Sequence, residues 1–284
     1  MLDHGWSLQE SRFEAGGAKA PIYESPAYEE AMSRLLFIVE QQRHCGILFG
    51  PMGAGKSLLL EQLTRVVRRA SRETAFVDVH GRSSTEILWE LSGELGLSPH
   101  YGDSSFALWR RVLDHVLANR GGERPTVILL DHADQGGEES ALLVSRLIHL
   151  ASQGRGLSLI VAARGNELAD LPDALREATD IRIELSWFDR QQTEAFIGTV
   201  FNSSTDELPA FEDRAIDRLF AISRGSPRML IHLCDLSLLA ALAGGDQTVS
   251  ESIVLTAAAD LQITGTNPTR SSSGSNWPHP RFEY

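Results

Sequence analysis

One run in the chain has residue types and spacing that specify a chemistry: Gly50-Pro51-Met52-Gly53-Ala54-Gly55-Lys56-Ser57, which fits the pattern Gly-x-x-x-x-Gly-Lys-Ser/Thr. Glycines at 50, 53 and 55 let the backbone curl until several N–H groups point inward, making a nest for phosphate oxygens. A helix starting through Leu58 adds partial positive charge at the same place. Lys56 is spaced to reach the β- and γ-phosphates of a nucleotide, and the Ser57 hydroxyl to ligate Mg²⁺. The alternative is a glycine-rich turn with a chance lysine. Against it stands the context, a strand-like run before and a helix-like run after, which the phosphate reading requires. The expected ligand is a nucleotide with Mg²⁺.

A second candidate site lies downstream, where Val127-Ile128-Leu129-Leu130 lead into Asp131. An apolar strand there delivers one carboxylate at its C-terminal edge, beside the phosphate loop, to hold Mg²⁺ through water. In hydrolases built this way a glutamate follows the aspartate and polarises the attacking water, but here the residue is His132. A neutral imidazole accepts a proton yet carries no permanent negative charge. Asp134 reaches the same water only if the loop bends towards it, and Glu138 and Glu139 are weaker candidates. His132 stands open between a working base and a plain loop histidine. The sequence thus specifies nucleotide binding and leaves hydrolysis undecided.

The elements that must position these residues alternate. Apolar runs at 45–50, 75–79, 126–131, 157–163 and 178–185 read as strands, and amphipathic segments at 25–42, 58–71, 84–96, 104–119 and 138–152 read as helices. This predicts a five-stranded parallel sheet with helices on both faces. After Ser186 only helical patterns follow, at 190–201, 211–223, 227–243 and 249–261, which predicts a small all-helical lid. The expected organisation is a flexible arm over 1–20, a nucleotide-binding core over 21–186, a lid over 187–262 and a disordered Ser/Pro/Gly-rich tail over 263–284.

Composition is ordinary for a folded protein of 284 residues, with 42% hydrophobic and 23% charged residues. Asp and Glu number 38 against 26 Lys and Arg, a net charge of −12, which argues against a binder that works by bulk attraction to nucleic-acid phosphates. Two cysteines, Cys45 and Cys234, make neither a disulfide framework nor a zinc site. The first ten residues lack a basic start and an apolar stretch, and no run approaches about 18 uninterrupted apolar residues, so neither a secretory signal nor a membrane span is expected. A cytoplasmic protein is the resulting expectation.

Four segments together resemble a known family: YESPAYEEAMSRLLF, GPMGAGKS, ILLDHAD and SRGSPRMLIHLCDLSLLAAL. Over roughly residues 20–262 the chain resembles AAA+ ATPases of the ORC1/DEAH-like group, and within it the ExeA-type ATPases of secretion and pilus assembly. The resemblance implies a P-loop sheet with a helical lid, ATPase activity, and a homo-oligomer or a protein partner. It implies that Arg228, at the start of a lid helix, contacts the γ-phosphate as sensor 2. It implies that Arg176 or Arg182 faces the nucleotide of a neighbouring subunit, although a third arginine position of that segment is Ala178 here. The polar sensor 1 position falls near Ala163, leaving Arg164 or Asn166 to serve. His132 is the largest departure from the family pattern. The ExeA-type proteins often continue into a membrane span and a peptidoglycan-binding region, neither of which is read in this sequence. A DNA-associated regulator is the competing role, less favoured because of the acidic balance, and a non-hydrolysing ATP-bound scaffold is a third.

Other residues have ordinary readings. Arg65, Arg68, Arg69 and Arg72 share a helix and read as a solvated face, or as a surface for a neighbouring subunit or a nucleic-acid backbone. Trp89, Phe106 and Trp109 read as packing residues, His80 as a loop residue, and both cysteines as small buried side chains. Tyr23 and Ile22 either touch an adenine base or pack.

Overall fold

The computed structural model describes residues 22–120, 125–165, 180–201 and 208–261. The expected arm and tail lie outside the described residues. Five strands form one parallel sheet: β1 (Cys45–Gly50), β2 (Glu73–Asp78), β3 (Thr126–Asp131), β4 (Leu157–Arg164) and β5 (Ile181–Glu184), in the order β2-β3-β4-β1-β5. β1, β3 and the first seven residues of β4 are buried throughout, as strands covered on both faces must be. Their side chains still divide by the two-residue period. Ile47, Phe49, Ile128, Leu130, Leu159 and Val161 join a core with α3 (Ser84–Glu94), α4 (Ser105–Asn119) and α5 (Glu138–Ser152). Leu48, Val127, Leu129, Ile160 and Ala162 join the opposite core with α1 (Pro26–Glu40) and α2 (Lys56–Arg69).

Helix boundaries follow local chemistry. The Ser25 hydroxyl caps α1 by accepting from the Tyr28 N–H, with Pro26 at the first helical position. Ser83 and Glu86 form a reciprocal capping box on α3. α2 begins at Lys56, two residues earlier than the apolar pattern suggests, because Gly55 takes a left-handed φ of 99° that turns the loop directly into helix.

Beyond β5 come α6 (Arg190–Phe201), α7 (Asp213–Ser223), α8 (Pro227–Gly244) and α9 (Glu251–Asp260), around a third core that includes Phe196, Leu219, Leu230, Leu233 and Leu238. Here the structure corrects the sequence reading. Helices expected from 211 and 249 start at 213 and 251, since Glu212 and Ser250 occupy the extended N-cap positions. The residues before them form two short parallel strands, β6 (Ala210–Phe211) and β7 (Thr248–Val249). α8 is long and apolar enough to cross a membrane by length and composition, with a mean hydropathy of 1.3. Its Leu230, Leu233, Cys234, Leu238 and Ala241 are nevertheless buried in the helical core.

Candidate nucleotide site at the carboxyl edge of the sheet

The carboxyl ends of β1, β3 and β4 converge on the loop over 50–57. Gly53 and Gly55 have φ of 78° and 99°, in the left-handed region that favours glycine. Gly50 meets a different demand: a Cβ there would stand 2.1 Å from the Leu185 carbonyl oxygen. Close backbone approach, rather than a turn alone, explains glycine at that position. A Cβ on Gly55 would meet nothing within 4 Å, so the curl opens onto free space. The N–H groups of Lys56 and Ser57, first in α2, have no intrahelical acceptor and are available to anions. The Lys56 ammonium lies back across the loop, donating to the Gly50 carbonyl at 2.8 Å and the Pro51 carbonyl at 3.0 Å. Lys56 is only 7% exposed. Burial lowers its pKa, the Asp131 and Asp134 carboxylates pull it back up, and the Arg164 guanidinium pushes it down.

Asp131 ends β3 with 2% exposure, and one of its oxygens accepts the His132 N–H at 2.8 Å. A hydroxyl at Ser57 and a buried carboxylate at Asp131 are hard oxygen donors beside the lysine, a set that fits Mg²⁺. His132 sits in the left-handed region, φ 51°, before a single 3-10 turn (Ala133–Gln135). Its Nδ1 lies 2.9 Å from an Asp78 oxygen and 3.6 Å from Asp131 Oδ2. Asp134 faces Arg164. Both its oxygens accept from Arg164, one from the backbone N–H at 2.9 Å and the other from Nε at 3.0 Å. Glu138 and Glu139 open α5, and Glu139 accepts from the Ser84 hydroxyl at 3.4 Å.

The helical part closes onto the same loop. The Arg228 N–H donates to the Gly53 carbonyl at 3.4 Å, and a Cβ on Gly53 would stand 2.9 Å from the Ser226 hydroxyl and 3.1 Å from Arg228 Cβ. Trp187, in the connection between the two parts, donates its indole N–H to the Met52 carbonyl at 3.1 Å. An arginine at the second position of α8 therefore sits against the phosphate loop, with its side chain exposed.

Residues 39–171 match the AAA domain family. Over 271 residues the chain is 24% identical to general secretion pathway protein A of Aeromonas hydrophila, covering 92% of this chain and 48% of that protein. The segment over 39–171 thus matches the AAA domain, within a chain similar to general secretion pathway protein A. It spans about half the length of that curated relative. The fold is shared with solved structures. Cdc6p from Pyrobaculum aerophilum superposes with a TM-score of 0.70 at 16% identity, covering 86% of this chain and 69% of that one. The ORC1 protein of Aeropyrum pernix, in complex with DNA, gives 0.65 at 14% identity over 84% of this chain and 66% of that one. The RuvB Holliday junction branch migration motor of Thermotoga maritima gives 0.52 at 17% identity over 82% and 69%.

The remaining expected residues of the AAA+ module distribute unevenly. Ala163 is buried in the sheet core, and Arg164 reaches Asp134 instead. Asn166, Arg176 and Ala178 lie outside the described residues. Arg182 is exposed on β5, and its carbonyl accepts from Arg34 at 3.3 Å. Tyr23 packs edge-on against Phe188 and Phe196 at 5.4 and 6.0 Å. The four arginines do not share a helix: Arg65, Arg68 and Arg69 lie on α2, where Arg68 pairs with Glu94 and the other two face outward, whereas Arg72 follows the helix end and donates to the Val39 carbonyl at 2.7 Å. Trp109 packs on the core, with the Arg146 guanidinium 4.0 Å over its ring. Trp89 and Phe106 do not pack as expected. They are 50% and 76% exposed, because Ile87, Leu88 and Leu91 of α3 and Leu108 and Val112 of α4 take the buried faces. Asp78 and Trp187 were missed by sequence reasoning. The only local signal for Asp78 is an acidic residue at a strand's C-terminal end.

Proposed function

We propose that the chain binds ATP with Mg²⁺ between the sheet edge and the helical lid, hydrolyses it, and uses the resulting lid movement to act on a partner or a neighbouring copy. The observation that carries this reading is Lys56: a buried ammonium held in a glycine curl, in the field of Asp131, in a loop that Arg228 of α8 contacts at Gly53. Lys56 and the first N–H groups of α2 grip the phosphates. Ser57 and Asp131 would hold Mg²⁺, which would supply positive charge against the nucleotide's phosphates. His132 orients the attacking water, and Arg228 reports the γ-phosphate to the lid. Water oxygen bonds to the γ-phosphorus as the bond to the β,γ-bridging oxygen breaks. ADP leaves with that electron pair, and the water's oxygen departs in inorganic phosphate, its proton passing to that phosphate or to solvent.

Phosphate release by the purified protein, by Lys56→Ala and by His132→Glu tests this. A wild-type rate that disappears in Lys56→Ala is expected. A rate that appears only in His132→Glu would make the protein an ATP-bound scaffold. We place its work in the cytoplasm, as a homo-oligomer or with a protein partner, in assembly or remodelling of secretion or envelope machinery; the relative named for general secretion supports that choice. A second reading, an ATP-dependent regulator on DNA, draws on the solved neighbour described in complex with DNA. The net charge of −12 weighs against it. A DNA gel shift at low salt with ATP present would favour the second reading, and its absence removes it.

A further inference from the structure

Asp78 ends β2 in register with Asp131 at the end of β3, so two carboxylates stand side by side at the sheet edge. His132 follows in its left-handed conformation and brings Nδ1 to 2.9 Å from Asp78 Oδ1 and 3.6 Å from Asp131 Oδ2. The Asp78 carboxylate is itself held, since the same Oδ1 accepts the His80 N–H at 2.9 Å. Burial pushes the Asp78 pKa up, but the His80 amide, the His132 ring and the nearby Arg82 more than offset this and hold it below the usual carboxylate range. A carboxylate can only accept hydrogen bonds, so the ring nitrogen 2.9 Å from Asp78 Oδ1 carries the hydrogen. In a neutral ring that leaves Nε2 with its lone pair. The ring is one-third exposed, and Nε2 makes no hydrogen bond among the described residues.

We propose that Asp78 is a positioning residue which, through Nδ1, fixes His132 in the tautomer whose Nε2 accepts a hydrogen bond from the attacking water. This rests on the proposed hydrolysis at the same site. It supplies what a loop histidine lacks in place of a glutamate. A free imidazole turns about its side-chain bonds and shares its hydrogen between both nitrogens, whereas a ring held at Nδ1 keeps one orientation and one acceptor. The logic is that of an aspartate orienting a histidine in hydrolytic triads, with the aspartate never touching substrate.

The test uses the full chain with ¹⁵N-labelled histidine and four forms: wild type, Asp78→Ala, Asp78→Asn and His132→Ala. In the neutral ring at alkaline pH, the wild-type His132 should show hydrogen-bearing Nδ1 and lone-pair Nε2 signals. Asp78→Ala should lose that preference, and Asp78→Asn, whose amide oxygen still accepts, should largely keep it. In phosphate release, Asp78→Ala should lower kcat roughly 10- to 100-fold, as loss of a ligand-orienting partner typically does, with KM unchanged. Asp78→Asn should recover most of the rate. Added to His132→Ala, the Asp78→Ala change should cost nothing further, because Asp78 acts through the ring. A wild-type ring with its hydrogen on Nε2, a purely KM effect, or a full independent loss in the His132→Ala background would overturn the proposal. Absence of phosphate release from the wild type would overturn the hydrolysis reading and the role at the water. The ring spectra would then separately report whether Asp78 sets the tautomer.

Discussion

Lys56 shows at the scale of one residue how the proposed binding capacity is held at a cost to the ligand-free fold. Its ammonium is buried against two loop carbonyls, and burial lowers its pKa despite two neighbouring carboxylates. A lowered lysine pKa means that the unfolded chain binds more protons in the alkaline window between the folded value and the ordinary one near ~10.4. Stability therefore rises with pH across that window, and the charged lysine is a net burden below it. Lys56→Met removes the burden while keeping an apolar stem of similar length. The expected result is a ligand-free melting temperature equal to wild type or a few degrees higher, by about 1 kcal/mol or less, together with lost nucleotide binding. A scan showing a large fall would mean that the lysine's hydrogen bonds to Gly50 and Pro51 hold the loop together.

At the scale of elements, the connection between β5 and α6 is pinned to the turn before α8. The Phe188 N–H donates to the Gly225 carbonyl at 2.9 Å, and Gly225 has φ of 80° with its missing Cβ only 1.8 Å from the Phe188 carbonyl oxygen. Gly225→Ala meets both a disfavoured backbone region and a backbone clash, so a loss on the order of 3 kcal/mol is expected. Denaturant unfolding measures it, and an unchanged midpoint would show that this turn is loose. The legibility of the sequence follows the same division between local and cross-chain information. The strand runs, the glycine spacing of 50–57 and the apolar lead-in to Asp131 are local patterns, and they located the sheet and the loop. β6 and β7, two residues each, are too short to carry a period. Asp78 gains its place only because β2 pairs with β3, a neighbour relation that no local run of residues encodes. Trp89 and Phe106 look like packing residues by type, but the aliphatic positions beside them take the buried faces.

Across the whole molecule, the phosphate loop is the joint between sheet and lid. Met52 accepts from Trp187, Gly53 accepts from Arg228, and Gly50 lies against Leu185. A ligand that reshapes this loop therefore acts on the connection and on α8 together. Trp187 is one of five tryptophans, and its indole N–H is bonded directly to the loop. Nucleotide should change its fluorescence, and Trp187→Phe should remove that change while leaving the other four signals in place. A persistent change in the variant would mean that loop and connection move independently. The central claim, that the glycine curl around Lys56 receives a triphosphate, is tested most directly by calorimetric titration of ATP into the purified protein. The account predicts saturable, Mg²⁺-dependent heat for one site per chain that vanishes in Lys56→Ala. No heat from the wild type, or equal heat from both proteins, would contradict it.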